Sequence, residues 1–225
     1  LGDDPDIAMV LGEVLPVVSK GALIIDHSTA SPDLARRLSA DFSEKGASFI
    51  DAPVSGGEAG AKAGKLSIMC GGEAAAVERA RSVLDAYSAR IVHVGPSGHG
   101  QLAKAVNQIC IAGLLQGLAE GVHFARTAGL DIDRVLEAVS GGAARSWQME
   151  NRAKTMAEGA FDFGFAVDWM RKDLRIALGE ARKNGAQLPV TALVDQFYAE
   201  IQAMGGGRND TSSLIRRLKP PAARR

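Results

Sequence analysis

The chain has 225 residues, of which 46% are hydrophobic and 23% charged, and its 26 basic and 26 acidic side chains give a formal net charge of zero. This is a globular composition, long enough for one large domain or two small ones. It excludes a disordered chain and lacks the basic excess of a nucleic-acid binder.

Two cysteines, Cys70 and Cys110, lie far apart without paired spacing, so neither a disulfide framework nor a metal site is expected. The start does not resemble a signal peptide. The longest apolar run, Ala105–Ala119, is interrupted by Asn107, Gln108 and Gln116 and falls short of the ~20 residues of a spanning helix. A cytoplasmic protein with no membrane partner is expected.

In chain order, Ala22–Asp26 is a short apolar run suited to a buried parallel strand. Ser31-Pro32-Asp33 has the form of a helix N-cap, and Gly46 ends the helix after Lys45. Ser48–Asp51 and, after a glycine-rich loop, Leu66–Cys70 read as strands, Glu73–Tyr87 as an amphipathic helix and Arg90–Val94 as another strand. This alternation predicts a mostly parallel sheet with helices on its faces. Beyond Gly95 the pattern becomes helical: Gln101–Ala128, Asp131–Val139, Ala144–Met156, Val167–Asn184 and Pro189–Met204, with no strand candidate. The fold class is α/β, a partial Rossmann-type sheet in residues 1–95, followed by an all-α C-terminal domain in residues 96–225, joined by a long interdomain helix. The basic tail Arg216–Arg225, with its two prolines, reads as a frayed terminus.

Three places could carry chemistry. Lys104 is the only charged residue between Gly100 and Glu120. Either it snorkels to water along its methylenes, or burial tunes it for proton exchange near neutral pH. Asn107 shares its helical face, and Gly95, Gly98 and Gly100 before it allow close approach to the helix start. Ser55, Gly56 and Gly57 follow a strand; they form either an ordinary glycine turn or a run of backbone N–H groups for a carboxylate. His27, Ser28 and Thr29 end the first strand, where ligands bind in open α/β sheets, unless a hydroxyl there only caps the next helix.

Together, Asp51–Gly64, the spacing Gly95-x-x-Gly98-x-Gly100-x-x-x-Lys104-x-x-Asn107-Gln108 and the run Lys172-Asp173-Leu174 resemble the β-hydroxyacid dehydrogenases. That group includes 3-hydroxyisobutyrate dehydrogenase and the tartronate, glyoxylate and succinic semialdehyde reductases, and is related to 6-phosphogluconate dehydrogenase. The likeness runs from Ile24–Thr29 to Asp210–Ser213. It implies an NAD- or NADP-dependent oxidoreductase that interconverts a small β-hydroxy or ω-hydroxy carboxylic acid and its semialdehyde. Lys104 would be the acid/base, assisted by Asn107. Ser55, Gly56, Gly57 and Asn107 would hold the substrate; Ser28, Thr29 and Lys172 would contact the cofactor. Lys172 could otherwise be a solvated lysine paired with a carboxylate.

The chain departs from the family pattern in having no Gly-x-Gly-x-x-Gly turn in a strand–turn–helix context. A piece of a longer enzyme is therefore expected. Two other readings are an imine reductase, in which another residue usually replaces the lysine, and a non-catalytic dehydrogenase-like oligomerisation module. The apolar helices point to a homodimer or homotetramer.

Overall fold

A computed structural model describes residues 1–218. The chain forms two compact units, Leu1–Asn107 and the residues from Gln108 onward.

The first unit opens with helix α1 (Asp4–Val14), which the sequence reading did not assign. Its start is written locally: Asp3 caps it, Asp6 returns the bond in a capping box, and Pro5 occupies the first turn. Then come β1 (Leu23–Asp26), α2 (Pro32–Glu44), β2 (Ser48–Asp51), β3 (Val54–Ser55), α3 (Gly57–Lys62), β4 (Leu66–Gly71), α4 (Ala74–Leu84), β5 (Ser88–Gly95) and α5 (His99–Thr127). Ser31 caps α2 through Leu34 N, as its sequence predicts.

The sheet is mixed rather than mostly parallel. β1 pairs in parallel with β2, and β4 with β5, but β2 and β3 both run antiparallel to β4. The reason is connection length. Only residues 56–65 separate β3 from β4, and they hold just the short α3, whereas a parallel crossover needs a dozen or more residues. Alternation along β2 builds two cores. Phe49 packs with Ile7, Leu34, Leu38 and Phe42 under α1 and α2, while Ile50 packs with Ile68, Val77, Ala80 and Leu84 under α4.

α5 is longer and more apolar than its interrupted sequence run suggests. By length and composition alone it could cross a membrane. Its polar side chains have partners inside the protein: Gln101 on residues 28 and 30, Gln108 on Asp173, and Gln116 on Glu120.

The second unit contains the rest of α5 with α6 (Ile132–Val139), α7 (Trp147–Glu158), α8 (Val167–Asn184), α9 (Pro189–Ala203) and a closing 3-10 turn at Thr211–Arg217. Leu115, Ala119, Met156, Met170, Leu174, Val194, Tyr198 and Leu214 form its core. Among the described residues of this unit, extended pairing is limited to one isolated bridge between Ala166 and Asp210. The expected frayed tail is corrected for Arg216–Leu218. Leu214 and Ile215 sink into the core, and the Arg217 guanidinium lies 3.6 Å over the Phe197 ring while pairing with Glu200. Residues 219–225 lie outside the described residues.

Candidate functional site

The site residues of the first unit gather where β1 and β2 end and α5 begins. Asp51, the last residue of β2, is fully buried. Its carboxylate accepts Gly98 N at 2.8 Å through Oδ1 and Gln101 N at 3.0 Å through Oδ2. A negative charge on the unpaired N–H groups of a helix start is the favourable arrangement. Burial nevertheless wins: it pushes the Asp51 carboxyl above its usual range, against the opposing pull of the Gly98, Gln101 and Gly100 amides.

The segment that begins with Asp51 then runs alongside α5. Val54 O accepts from Lys104 Nζ at 3.0 Å, and Ser55 Oγ lies 3.5 Å from Asn107 Oδ1. Contacts at Asp51, Val54 and Ser55 thus meet successive turns of one helix, at Gly98/Gln101, Lys104 and Asn107. Lys104 is 9% exposed, so it does not snorkel to the surface. Two glycines permit this close seating. A Cβ on Gly100 would lie 2.6 Å from Asp51 O and 2.8 Å from Asp51 Oδ2, and one on Gly71 would lie 2.7 Å from Gly100 N. Ser55 ends β3, Gly56 follows it in a left-handed conformation (φ 131°), and Gly57 opens α3. The 55–57 run is therefore a glycine turn in shape, and its Ser55 hydroxyl reaches the Asn107 side chain.

Ser28 and Thr29 stand just beyond β1, both half-buried. Asp26 Oδ1 accepts Ser28 N at 2.9 Å. His27 Nδ1 donates to Ala52 O at 2.7 Å, a carbonyl that can only accept, and Nε2 shares a hydrogen bond with Tyr87 OH at 2.9 Å. The loop after β1 is thereby tied to the segment bearing Val54 and Ser55. Capping of α2 falls to Ser31, not to Ser28 or Thr29.

Lys172 belongs to the second unit, on α8. Its Nζ pairs with Asp173 Oδ1 at 3.0 Å, and Gln108 Nε2 donates to Asp173 Oδ2 at 2.6 Å. The pairing half of the solvated-lysine alternative is present, but the side chain is largely buried. Gln108 and Asp173 were motif positions in the sequence; their mutual bond has no local signal. The same holds for Asp51 as the cap of α5 and for Gln101. The clue to Gln101 is a polar side chain three residues before Lys104, on the same face of an apolar helix.

Comparison with known proteins settles the family. A family model described as the NAD-binding region of NADP-dependent 3-hydroxyisobutyrate dehydrogenase matches residues 98–218, and the NAD-binding domain of 6-phosphogluconate dehydrogenase matches residues 1–95. An "Uncharacterized oxidoreductase" of Shewanella frigidimarina is 57% identical over 97% of this chain and 76% of its own length. The chain belongs to the β-hydroxyacid dehydrogenase family. The 2-hydroxy-3-oxopropionate reductase of Escherichia coli is 38% identical over 89% of this chain and 68% of its own. The structure of Mycobacterium tuberculosis 3-hydroxyisobutyrate dehydrogenase with L-serine superposes with TM-score 0.88 at 30% identity, covering 97% of this chain and 77% of that one.

β-Hydroxyacid dehydrogenases are oxidoreductases, and the cofactor here is NAD or NADP. The chemistry at the sheet edge suits one end of such a group: the Ser28 and Thr29 hydroxyls and a hydrogen-bonded backbone stand at the C-terminal end of a parallel strand. Among the described residues no group of three or more His, Cys, Asp or Glu could hold a metal ion.

Proposed function

We propose that this β-hydroxyacid dehydrogenase interconverts a small β-hydroxy or ω-hydroxy carboxylic acid and its semialdehyde, with Lys104 as the acid/base. The observation that carries the reading is the seating of Lys104. A nearly buried amine is held 3.0 Å from Val54 O, one turn of helix before Asn107 and beside the Ser55–Gly57 turn. The similarity to 2-hydroxy-3-oxopropionate reductase supports a small carboxylate whose reacting carbon is an alcohol or aldehyde.

The dinucleotide, when bound, supplies the hydride acceptor or donor. In the oxidising direction the Lys104 amine takes the proton from the substrate hydroxyl; in the reducing direction its ammonium form returns that proton to the developing alkoxide. Val54 O orients Nζ, and the rigid first turns of α5 fix its distance from the substrate. Asn107 and Ser55 hold the hydroxyl and carboxylate end, with the backbone amides of Gly56 and Gly57 as further donors to the carboxylate. Ser28 and Thr29 would hold the nicotinamide side of the dinucleotide. Lys172 as a cofactor contact rests on its motif.

A panel of hydroxyisobutyrate, glycerate, glycolate and γ-hydroxybutyrate, each with NAD and with NADP, tests the reading. At least one acid should reduce a dinucleotide. Reduction of cyclic imines without turnover of any acid or semialdehyde would favour an imine reductase instead, and no turnover of either class would leave a non-catalytic module.

We also propose a homodimer or homotetramer. Leu114 and Phe124 on α5 are exposed, and a Cβ added at Gly117 or Gly121 on the same helix would meet nothing within 4 Å among the described residues. Light scattering should report a multimer; a monomer would overturn this part.

A further inference from the structure

We infer that Gln101 is a positioning residue that holds the dinucleotide-facing loop in register with the acid/base helix. The inference rests on the reading of Ser28 and Thr29 given above. Gln101 is buried, at 1% exposure. A buried primary amide needs partners for both its oxygen and its nitrogen, and here both are backbone groups of one loop. Oε1 accepts Ala30 N at 3.0 Å, and Nε2 donates to Ser28 O at 2.8 Å. The side chain therefore grips the residues immediately before and after Thr29. Its own backbone N–H is fixed on Asp51 Oδ2 at 3.0 Å.

Gln101 and Lys104 are three residues apart on α5 and so share a helical face. Any shift of the first turn of α5 would move the Lys104 amine and the Thr29 loop together. Ser31 N on Asp4 Oδ1 and Ser28 N on Asp26 Oδ1 anchor the loop to other elements; Gln101 links it to the acid/base helix. The chemistry is specific to glutamine. Leucine fills the space but satisfies neither backbone group. Glutamate keeps the acceptor for Ala30 N and loses the donor to Ser28 O, and regains that donor only when protonated.

The test compares Gln101→Leu and Gln101→Glu with the parent protein by hydrogen exchange of the segment 27–34, and by dinucleotide and carboxylate affinity. Exchange across α8 serves as the folding control. In Gln101→Leu, the Ala30 amide should exchange at least tenfold faster while α8 is unchanged. Dinucleotide affinity should fall on the order of tenfold, the loss expected for two neutral hydrogen bonds, with carboxylate affinity within about twofold of the parent. The Gln101→Glu deficit, measured against the parent at each pH, should shrink as the pH is lowered and the buried carboxyl gains its proton. Unchanged exchange at Ala30 would overturn the inference. So would equal losses for dinucleotide and carboxylate, or a glutamate deficit that does not vary with pH. A Lys104 substitution separates the two readings. Retained turnover in Lys104→Ala removes the acid/base assignment without touching the exchange result, and lost protection in Gln101→Leu does not depend on turnover.

Discussion

Gly100→Ala is the smallest change that should disturb both the fold and the chemistry. The added methyl would sit 2.6 Å from Asp51 O and 2.8 Å from Asp51 Oδ2, and closer still to Met69 O. None of these is the tip of a flexible side chain. Two are backbone oxygens of β2 and β4, and the third is a carboxylate already held by two amides. Restoring ordinary contact requires the start of α5 to retreat by about 1 Å. That movement stretches the Asp51 bonds to Gly98 and Gln101, which are 2.8 and 3.0 Å long. Overpacking of this kind costs roughly 1–3 kcal/mol, and weakening a hydrogen bond to a charged group adds about 1.5 kcal/mol or more. The expected loss is about 3 kcal/mol, read as a shift of the urea midpoint at constant slope. Because Lys104 lies one turn further along α5, a misplacement of about 1 Å should also lower turnover on the order of 10²-fold in the molecules that remain folded. Gly179→Ala on α8 is the control: among the described residues nothing lies within 4 Å of its added Cβ, and alanine in a helix interior should stabilise by up to about 1 kcal/mol. Gly100→Ala with stability within about 0.5 kcal/mol and turnover within twofold of the parent would refute the reasoning.

Asp51→Asn should change how stability depends on pH. Burial raises the Asp51 carboxyl above its ordinary value of 3.8. The stability it contributes is therefore fully present below that value and is lost as the pH rises through the folded-state value. The advantage of the parent over Asp51→Asn, from urea titrations, should shrink with rising pH above 3.8; an advantage that grows would mean that the amides of the α5 start outweigh burial. Arg152→Ala should destabilise by about 3 kcal/mol, the cost of leaving a buried partner charge uncompensated. Asp210, with 2% of its side chain exposed, loses its cation at 3.1 Å, and the guanidinium contacts with the Trp147 and Phe163 rings go as well. A thermal or urea shift worth less than about 1 kcal/mol would contradict that assignment.

Much of the fold is legible in the residues because its signals are local. The apolar run at β1, Ser31 before α2, and the change of pattern after Gly95 are each contained in a few neighbouring residues. α1 carried an equally local signal in Asp3, Pro5 and Asp6, but with no recognisable strand before it the segment offered no α/β context. β3 and α3 are too short for periodicity to mark, and without β3 the reversal of strand direction could not be anticipated. The site divides along the same line. Lys104 is marked as the lone charge on an apolar stretch of helix, and Asn107 by sharing its face. Asp51 and Gln101 are not, because their roles depend on bonds across 47 to 73 positions of sequence. No local pattern sets the register of α5 against the ends of β1 and β2. The tail shows the opposite failure: Arg217 looks solvated in sequence, yet next to the buried Leu214 and Ile215 it lies on α9, over Phe197 and paired with Glu200.

The most direct test of the central claim is the turnover of Lys104→Ala at saturating dinucleotide and hydroxyacid. Loss of a positioned acid/base predicts a fall on the order of 10²-fold or more, with dinucleotide affinity and urea midpoint close to those of the parent. Turnover close to that of the parent would contradict the assignment of the proton transfer to Lys104.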